Sequence, residues 1–591
     1  RLPVPASIRD ALQQRLRALT PGARQLAGLL AICRHEVPVE VLVQALHTTE
    51  EEVWVLLEEL LDQDVVRARS VGIEELYDLA AGRLRDVLVV QLEGVERCSL
   101  HRRAGTALER YYRHRIASVV ETVAWHFEQG EMPAKAYPYL MQAGVRLLER
   151  SFVPEALDCF DRALALEPDA REYMTLDHAD ERLAQLRMER GLALFHLGRW
   201  AEAEAEHTEA DALALEIGDE RLRTRTLTEL GGYARRHHDL DLAEERLTEA
   251  LAIAIRLGDT SLRVQPLHAM GSVRWSRGDL DGARQMWLEA LNVAGAVKDD
   301  MALGKGHNGL GLVALCRGQA AEARKYLEQA CSTFERLGHV SPLAIARINL
   351  VELYHCTGNL RKALQLADRT VAQAREIHYL YGVALGLQYR ALILVDLGRL
   401  AEAEDNAGQA ITILEDLELQ DDGLALHVSL IRVSLARGDF KAVEKILELT
   451  REEFGEYDTE GYAPLLCAFE ARCAAEQGDE ARVRAKLLEA EETAGRPWPH
   501  QRCRLDIIAA RALAALGDRE AAVERASEAL RRADAAGFRF YSLKAHTLLA
   551  SCSLDASGVA LHTRVARALA KSLAANLSRE DAEIFLAAHE V

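Results

Sequence analysis

Aromatic side chains are scarce in this chain, at 5% of 591 residues, and alanine and leucine outnumber the β-branched valine and isoleucine. A sheet-built protein draws on the residues that are missing here, whereas alanine, leucine and a 28% share of charged residues suit amphipathic helices. No run of about 18 consecutive apolar residues occurs and no signal-peptide pattern opens the chain, so neither a membrane span nor export is expected. The ten cysteines are scattered from Cys33 to Cys552 without a C-x-x-C pair or a zinc-like Cys/His spacing, and the two closest, Cys467 and Cys473, are six residues apart. That is the pattern of reduced thiols, and a cytoplasmic location is expected. No cofactor and no metal are expected: His237 and His238, as neighbours, would point about 100° apart on a helix and belong in a turn. No HExxH, GxSxG or paired-carboxylate constellation is present, and Glu-rich runs such as EEVWVLLEE suit solvated helix faces, so no enzyme activity is expected.

The length exceeds one ordinary core of roughly 150 residues, which leaves several domains or a repeat array that grows by stacking. Net charge is −20, and residues 1–120 hold 16 basic and 17 acidic residues, so the acidity lies beyond them. A long acidic surface repels phosphate backbones and disfavours general nucleic-acid binding there. The opening RLPVPASI lacks an initiator methionine, and the chain is expected to be a processed product or a segment of something longer.

Residues 303–312, LGKGHNGLGL, hold four glycines and a lysine, the ingredients of a phosphate-binding loop. A Walker loop needs G-x-x-x-x-G-K-[S/T], but Lys305 lies between Gly304 and Gly306 and no hydroxyl follows it. Gly304, Gly306 and Gly309 do fit G-x-G-x-x-G, a pattern that requires a preceding strand. A period supplies the better reading. LGRW, RGDL, RGQA, TGNL, LGRL, RGDF and QGDE place Gly198, Gly278, Gly318, Gly358, Gly398, Gly438 and Gly478 at multiples of 40 residues, with His238 in the gap and Gly517 one residue early. Five residues after each marker stands a small residue, Ala203, Ala243, Ala283, Ala323, Ala363, Ala403, Val443, Val483 and Ala522. Seven before the marker stand Gly191, Gly231, Gly271 and Gly311, and second stop signals recur at Gly218, Gly258 and Gly338. Small residues at these spacings let paired helices approach closely, so LGKGHNGLGL belongs to the first helix of the fourth repeat. Its extra glycines, each costing about 1 kcal/mol against alanine inside a helix, imply either close packing or a soft repeat.

These positions resemble the tetratricopeptide repeat, a helix hairpin of about 34 residues. A 40-residue unit implies that each helix is longer by nearly one turn. SFVPEALDCFDRALALEP, within 144–168, matches the shorter form with its closing proline. Ahead of the repeats, TPGARQLAGLLAICRHEVPVEVLVQAL reads as a helix opened by Thr20 and Pro21, a break at HEVP and a second helix. TTEEEVWVLLEELLDQDVVRARS follows as a capped helix ending in a turn-like or strand-like stretch. This is the order of a winged-helix module, but EEEVWVLLEELL is acidic where a DNA-reading helix is basic, and an intramolecular role is expected.

VPASIRDALQQRLRALTPGARQLAGLLA, LLEELLDQDVV, LHRRAGTALERYY and VAWHFEQGEMPAKAYPYLMQAG, followed by long repeats, resemble the region after the ATPase in bacterial signal-transduction ATPases with numerous domains. Relatives of that family include multidomain Ser/Thr kinases and maltose-activator-like transcription regulators. An all-α fold follows from composition and repeats. The resemblance implies a winged-helix-like module over 1–115, a transitional helical segment over 116–180, nine repeats forming a right-handed superhelix, an α-solenoid, over 181–540, and capping helices over 541–591. It also implies a non-catalytic sensing and protein-interaction arm with an upstream ATPase domain in cis; a free-standing scaffold for a peptide or protein partner is the alternative. The chain holds no Walker loop or kinase signature, and Ala80 and Ala81 stand where the family often has a nucleotide-contacting histidine.

In the repeat family the inner wall is lined by positions two, five, nine, twelve and thirteen of the first helix. Counted from Gly231, Gly271, Gly311 and Val351, these are Arg225, Thr228, Arg235 and Arg236, then Gln265, His268 and Trp275, then Lys305 and Asn308, then Glu352 and His355. The later repeats are expected to offer mostly leucine, valine and alanine, with Arg472 in a region of little other polarity. A cationic, hydrogen-bonding cluster with one tryptophan suits a protein or peptide partner held by a carboxylate, or a small-molecule effector with an anionic group.

Overall fold

The protein is represented by a computed structural model that describes residues 15–589 apart from 72–73, 151, 175, 418, 420–422, 455–461 and 495–497. Its contacts divide it into two compact units, Arg1–Ala193 and Leu194–Val591. In the first, Thr20 accepts the Ala23 amide and Pro21 supplies the first helical residue of Pro21–Cys33. The break at HEVP contains β1, Val37–Pro38, and the helix Val39–Leu46 follows. Thr49 and Glu52 form a capping box at the start of Glu50–Asp62. The strand-like stretch beyond it is a hairpin of β2, Val66–Val71, and β3, Glu74–Leu79. β3 lies between β1 and β2, antiparallel to both; this small sheet falls on the strand-like stretch and its neighbours, and the rest of the described chain is helical as expected. Alternation explains why this stretch is a strand: Tyr77 and Leu79 turn inward to the core around Leu26 and Leu30, while Asp78 between them binds Arg85 at 2.7 Å.

The short-form pair is Pro133–Glu149 and Val153–Arg171. A methyl group on Gly144 would come within 2.8 Å of the Phe160 ring, which is the close approach that the small residue permits. Pro168 does not close the second helix as expected. The helix continues to Arg171, whose guanidinium reaches back across the proline to Glu167 at 2.6 Å and holds the last turn.

The second unit is a stack of helix hairpins. Helices A and B of repeat 2 are Glu220–Arg236 and Leu240–Arg256, and those of repeat 4 are Asp300–Cys316 and Ala320–Leu337, each 17 or 18 residues long. The marker glycines share one backbone state, with φ between 71° and 91°, and His238 fills its gap in the same left-handed region at 60°. The second stop series continues where glycine is absent, through Lys298 at 59° and His378 at 56°. All nine small residues that follow the markers, from Ala203 to Ala522, are fully buried. After repeat 9 come three helices, Arg539–Cys552, Ala556–Ala574 and Arg579–Ala588, one more than a capping pair.

LGKGHNGLGL lies inside helix A of repeat 4, and its glycines are explained by what faces them. A methyl group on Gly304 would meet Phe334 at 2.6 Å, one on Gly306 would meet Leu291 at 2.7 Å, and one on Gly311 would meet Leu327 at 2.6 Å. Gly309 is covered by the Trp287 ring. Large side chains from the B helices of repeats 3 and 4 therefore seat directly on the backbone of this helix, which is close packing rather than softness. Ala323, fully buried at the facing position, leaves no room for growth. Ala323→Leu is expected to cost about 1–3 kcal/mol, with hydrogen exchange quickening first in repeats 3–5. A uniform loss of protection across all nine repeats would contradict nearest-neighbour stacking.

Within this unit the marker turns touch elements five repeats further on. Gly198 lies against Leu417, Gly318 against Ala536, Gly358 against Leu573 and Gly398 against Ile584. At Gly358 the closest carbon of Leu573 would be 2.5 Å from a methyl group, so that glycine serves the turn and the contact together. Trp275 packs on Trp498 with ring centroids 4.9 Å apart, and Arg399 binds Asp581 at 3.0 Å. The winding is therefore tight enough to enclose space. Leu380–Leu397 is apolar and long enough by composition to cross a membrane. Here it is helix A of repeat 6, mostly buried, and it carries Arg390 and Asp396.

Candidate functional site

Eight of the residues singled out by repeat register take part in polar or aromatic contacts from the A helices of repeats 2–4. Lys305 donates to Gln265 Oε1 at 3.0 Å, Asn349 donates to Asn308 Oδ1 at 3.0 Å, and Arg235 reaches Ser276 Oγ at 3.5 Å. His268 sits close to Lys305 and Arg235; burial first, then these charges, lower its pKa to about 3, so it is neutral. His196 is held at about 4 by burial and by Lys305. Arg236 is stacked on Trp200, 3.1 Å from the ring centroid, with Tyr381 beyond it. Trp275 is engaged with Trp498. Arg225 is half-buried on the same helix as Arg235, and buried Thr228 spends its hydroxyl on the Thr224 carbonyl at 2.7 Å.

Glu352 and His355 belong to a different cluster. Both are buried in helix A of repeat 5, Val340–Cys356, and both face residues far along the chain. Glu352 accepts from Arg504 at 2.7 Å, and Arg504 also donates to the Tyr541 hydroxyl at 2.6 Å. His355 Nε2 meets Asp396 Oδ2 at 2.7 Å, while Asp396 Oδ1 receives Arg432 at 2.7 Å and Lys544 at 2.5 Å. Burial alone would raise the Asp396 pKa; Arg432 and Lys544 outweigh it and hold the carboxyl well below its usual range. For Glu352 the Arg504 charge likewise overcomes burial, to about 2. Lys544 is pushed down to about 8 by burial, against the pull of Asp396. Glu352, His355 and Cys356 bring possible metal-ligand atoms within 4.8 Å of one another. Arg504 and Asp396 already occupy the carboxylate and the imidazole, and burial raises the Cys356 thiol well above its ordinary pKa, so the donor set is that of a closed ionic network.

That network forms one wall of a cavity of about 840 Å³. The A helices of repeats 5–9 line it, and the helices after repeat 9 close it. Arg432, Arg472, Arg504, Arg511, Arg519 and Lys544 face the space, with Asp396 the sole acidic residue among the described lining. Leu392, Val428, Leu465, Phe469, Ile507 and Leu548 supply an apolar remainder. Arg472 pairs with Glu476 at 2.5 Å and stacks on Phe440. The expectation of little polarity around Arg472 is thus corrected: the winding of the array gathers cations from repeats 7, 8 and 9 and from the helix that follows them.

The sequence pattern of the MalT-like TPR region covers residues 306–560, and a tetratricopeptide repeat pattern covers 263–336. Residues 306–560 are thus similar to the MalT-like tetratricopeptide region, over less than half of the chain. No curated protein matches the chain significantly. Among solved structures, the tetratricopeptide array is similar to a signal-transduction ATPase with numerous domains and a tetratricopeptide repeat sensor from Pyrococcus horikoshii. That match has 14% identity and a TM-score of 0.45 and covers 77% of this chain; it spans 66%, just under two thirds, of the archaeal chain. A Rap protein complexed with competence and sporulation factor matches at 14% identity and a TM-score of 0.43, over 67% of this chain and 99% of that one. The Rap conjugation gene regulator of plasmid pLS20, in complex with the Phr* peptide, matches at 16% identity and a TM-score of 0.43, over 68% and 98%.

The cavity residues of the tetratricopeptide array stand largely at the same register positions as the earlier wall. Counting on from Ala391, Ile431, Ala471 and Ala510 reaches Asp396 at position thirteen, Arg432, Arg472 and Arg511 at position nine and Arg504 at position two. His196 appears when the count is carried back to Gly191. Lys544, in a helix after the repeats, and Arg519, in the second helix of repeat 9, have no such signal.

Proposed function

We propose that the chain is the non-catalytic ligand-sensing and protein-interaction arm of an ATPase-coupled signalling regulator acting in the cytoplasm. The observation that supports this reading is the cationic cavity, whose lining comes from five successive repeats. Each repeat of a stacked array contacts its neighbours, so a ligand that draws these helices together alters the curvature of the whole stack. The order of helices and strands in the first unit suits a winged-helix module, and its acidic helix Glu50–Asp62 suits a structural partner within the same protein rather than DNA. Upstream of the cavity, Arg235, Arg236 and Lys305 form the second part of the inner wall and suit a peptide carboxylate.

Titration with short peptides bearing free C-terminal carboxylates tests the wall. Each charge-assisted contact is worth about 1.5–3 kcal/mol, so Arg235→Ala combined with Arg236→Ala is expected to weaken binding at least tenfold with helical content unchanged. Arg284→Ala, on the exposed face of helix B of repeat 3, Leu280–Val297, is expected to leave binding as it was. Parent-like affinity in the double variant, with binding lost on substitution of outer B-helix faces, would place the interaction on the convex surface.

A further inference from the structure

We propose that the cavity of repeats 5–9 binds a small organic anion, a carboxylate or phosphate ester on an apolar body, with Arg511 as its anchor. The inference rests on the sensing-arm reading and names its ligand class. Charge is the starting point. A chain of net charge −20 has placed six cations around one cavity and a single carboxylate among its described lining residues. Four of those cations have partners: Arg432 and Lys544 share Asp396, Arg504 has Glu352 and Arg472 has Glu476.

Arg511 differs. It lies in helix A of repeat 9, Pro499–Leu516, with an exposed surface inside the chamber, and among the described residues no hydrogen bond or ion pair reaches its guanidinium. Asp396 attracts it only at longer range, while Arg432 and Arg472 repel it. A guanidinium beside two other arginines and without a counter-ion of its own is repelled by both, and an arriving anion relieves that repulsion where a neutral molecule does not. The guanidinium presents parallel N–H donors that match a carboxylate or phosphate in bidentate fashion. Leu392, Val428, Phe469 and Ile507 offer the apolar contact for the rest of the ligand. The volume of about 840 Å³ lies within the span of small-molecule sites, roughly 300–1,000 Å³. A metal ion or a cationic ligand is excluded by the same charges.

Calorimetric titration of the full chain with octanoate, octyl phosphate and octanol tests this. At least one of the two anions is expected to bind tenfold or more tighter than octanol; octanoate in the lead identifies a carboxylate, octyl phosphate a phosphate ester. Arg511→Met is expected to abolish the preference, and Arg511→Lys, which keeps the charge without the fork, to restore part of it. Because Arg511 has no partner to lose, the ligand-free Arg511→Met chain is expected to melt no lower than the parent. Equal binding of octanol and the anions, parent-like anion binding by Arg511→Met, or no binding of either anion at millimolar concentration would overturn the proposal. Octanol binding alone would leave a sensing arm with a neutral ligand, so the two readings fail separately.

Discussion

Asp396→Ala is expected to be among the most damaging single substitutions in the chain, at about 3–5 kcal/mol. Asp396 is nearly inaccessible, and its two oxygens serve three groups on three helices: His355 in repeat 5, Arg432 in repeat 7 and Lys544 beyond repeat 9. Removing the carboxylate leaves Arg432 and Lys544 facing each other without a counter-charge, beside an already unpaired Arg511. The loss is therefore greater than that of an exposed ion pair, whose worth is at most about 1 kcal/mol. Asp396→Asn keeps the volume and some hydrogen bonding but not the charge, and is expected to recover only part of the stability. Urea unfolding monitored by circular dichroism, read with hydrogen exchange in Leu380–Leu397, checks both variants. A loss below 1 kcal/mol for Asp396→Ala would mean that water replaces the carboxylate freely and that the network does not hold the turns together.

Trp287→Ala is expected to cost about 3–5 kcal/mol, concentrated in repeats 3 and 4. The indole is buried between Gly271 of its own repeat and Gly309 of the next, and its Nε1 donates to the His268 carbonyl at 3.0 Å. Two glycines cannot collapse into the space an indole vacates, since neither has a side chain to move. Helix A of repeat 4, already burdened with four glycines, then loses the contact that offsets their poor helix propensity. Local hydrogen exchange in Asp300–Cys316 should rise well before exchange in repeats 7–9. Undiminished protection there would show that the helix stands without the indole. Since Lys305 lies in that helix and the indole is held by the His268 carbonyl of the preceding repeat, the variant is also expected to weaken carboxylate peptides without touching the cavity.

The repeat was legible because its chemistry is local. A left-handed turn selects glycine, and a close helix contact selects glycine or alanine, so both leave marks at fixed intervals even where His238, Lys298 or His378 substitutes. The four glycines of LGKGHNGLGL were legible as helix residues for the same reason, but the side chains they receive, Trp287, Leu291, Leu327 and Phe334, lie elsewhere in the chain. Of the short sheet only a turn-like or strand-like stretch was legible, because β1 has only two residues and the hairpin of β2 and β3 is built largely from polar sequence. The cavity was the least visible feature. Its ionic contacts join residues 148 and 152 positions apart, Asp396 to Lys544 and Glu352 to Arg504. They exist only because the array closes on itself after five repeats. Arg432 and Arg511 stand at inner-wall register positions, but the later repeats read as mostly leucine, valine and alanine with Arg472 alone, and nothing in their neighbourhood announces that these arginines line one cavity.

Hydrogen exchange of the full chain, with and without saturating octyl phosphate, tests most directly the claim that this chamber is where the array takes its ligand. Protection should increase in the inner helices Leu380–Leu397, Leu424–Arg437, Ala463–Glu476 and Pro499–Leu516, with a smaller change spreading to the adjoining B helices. Protection confined to Asp300–Cys316, or to the outer B-helix faces with the four inner helices unchanged, would contradict it.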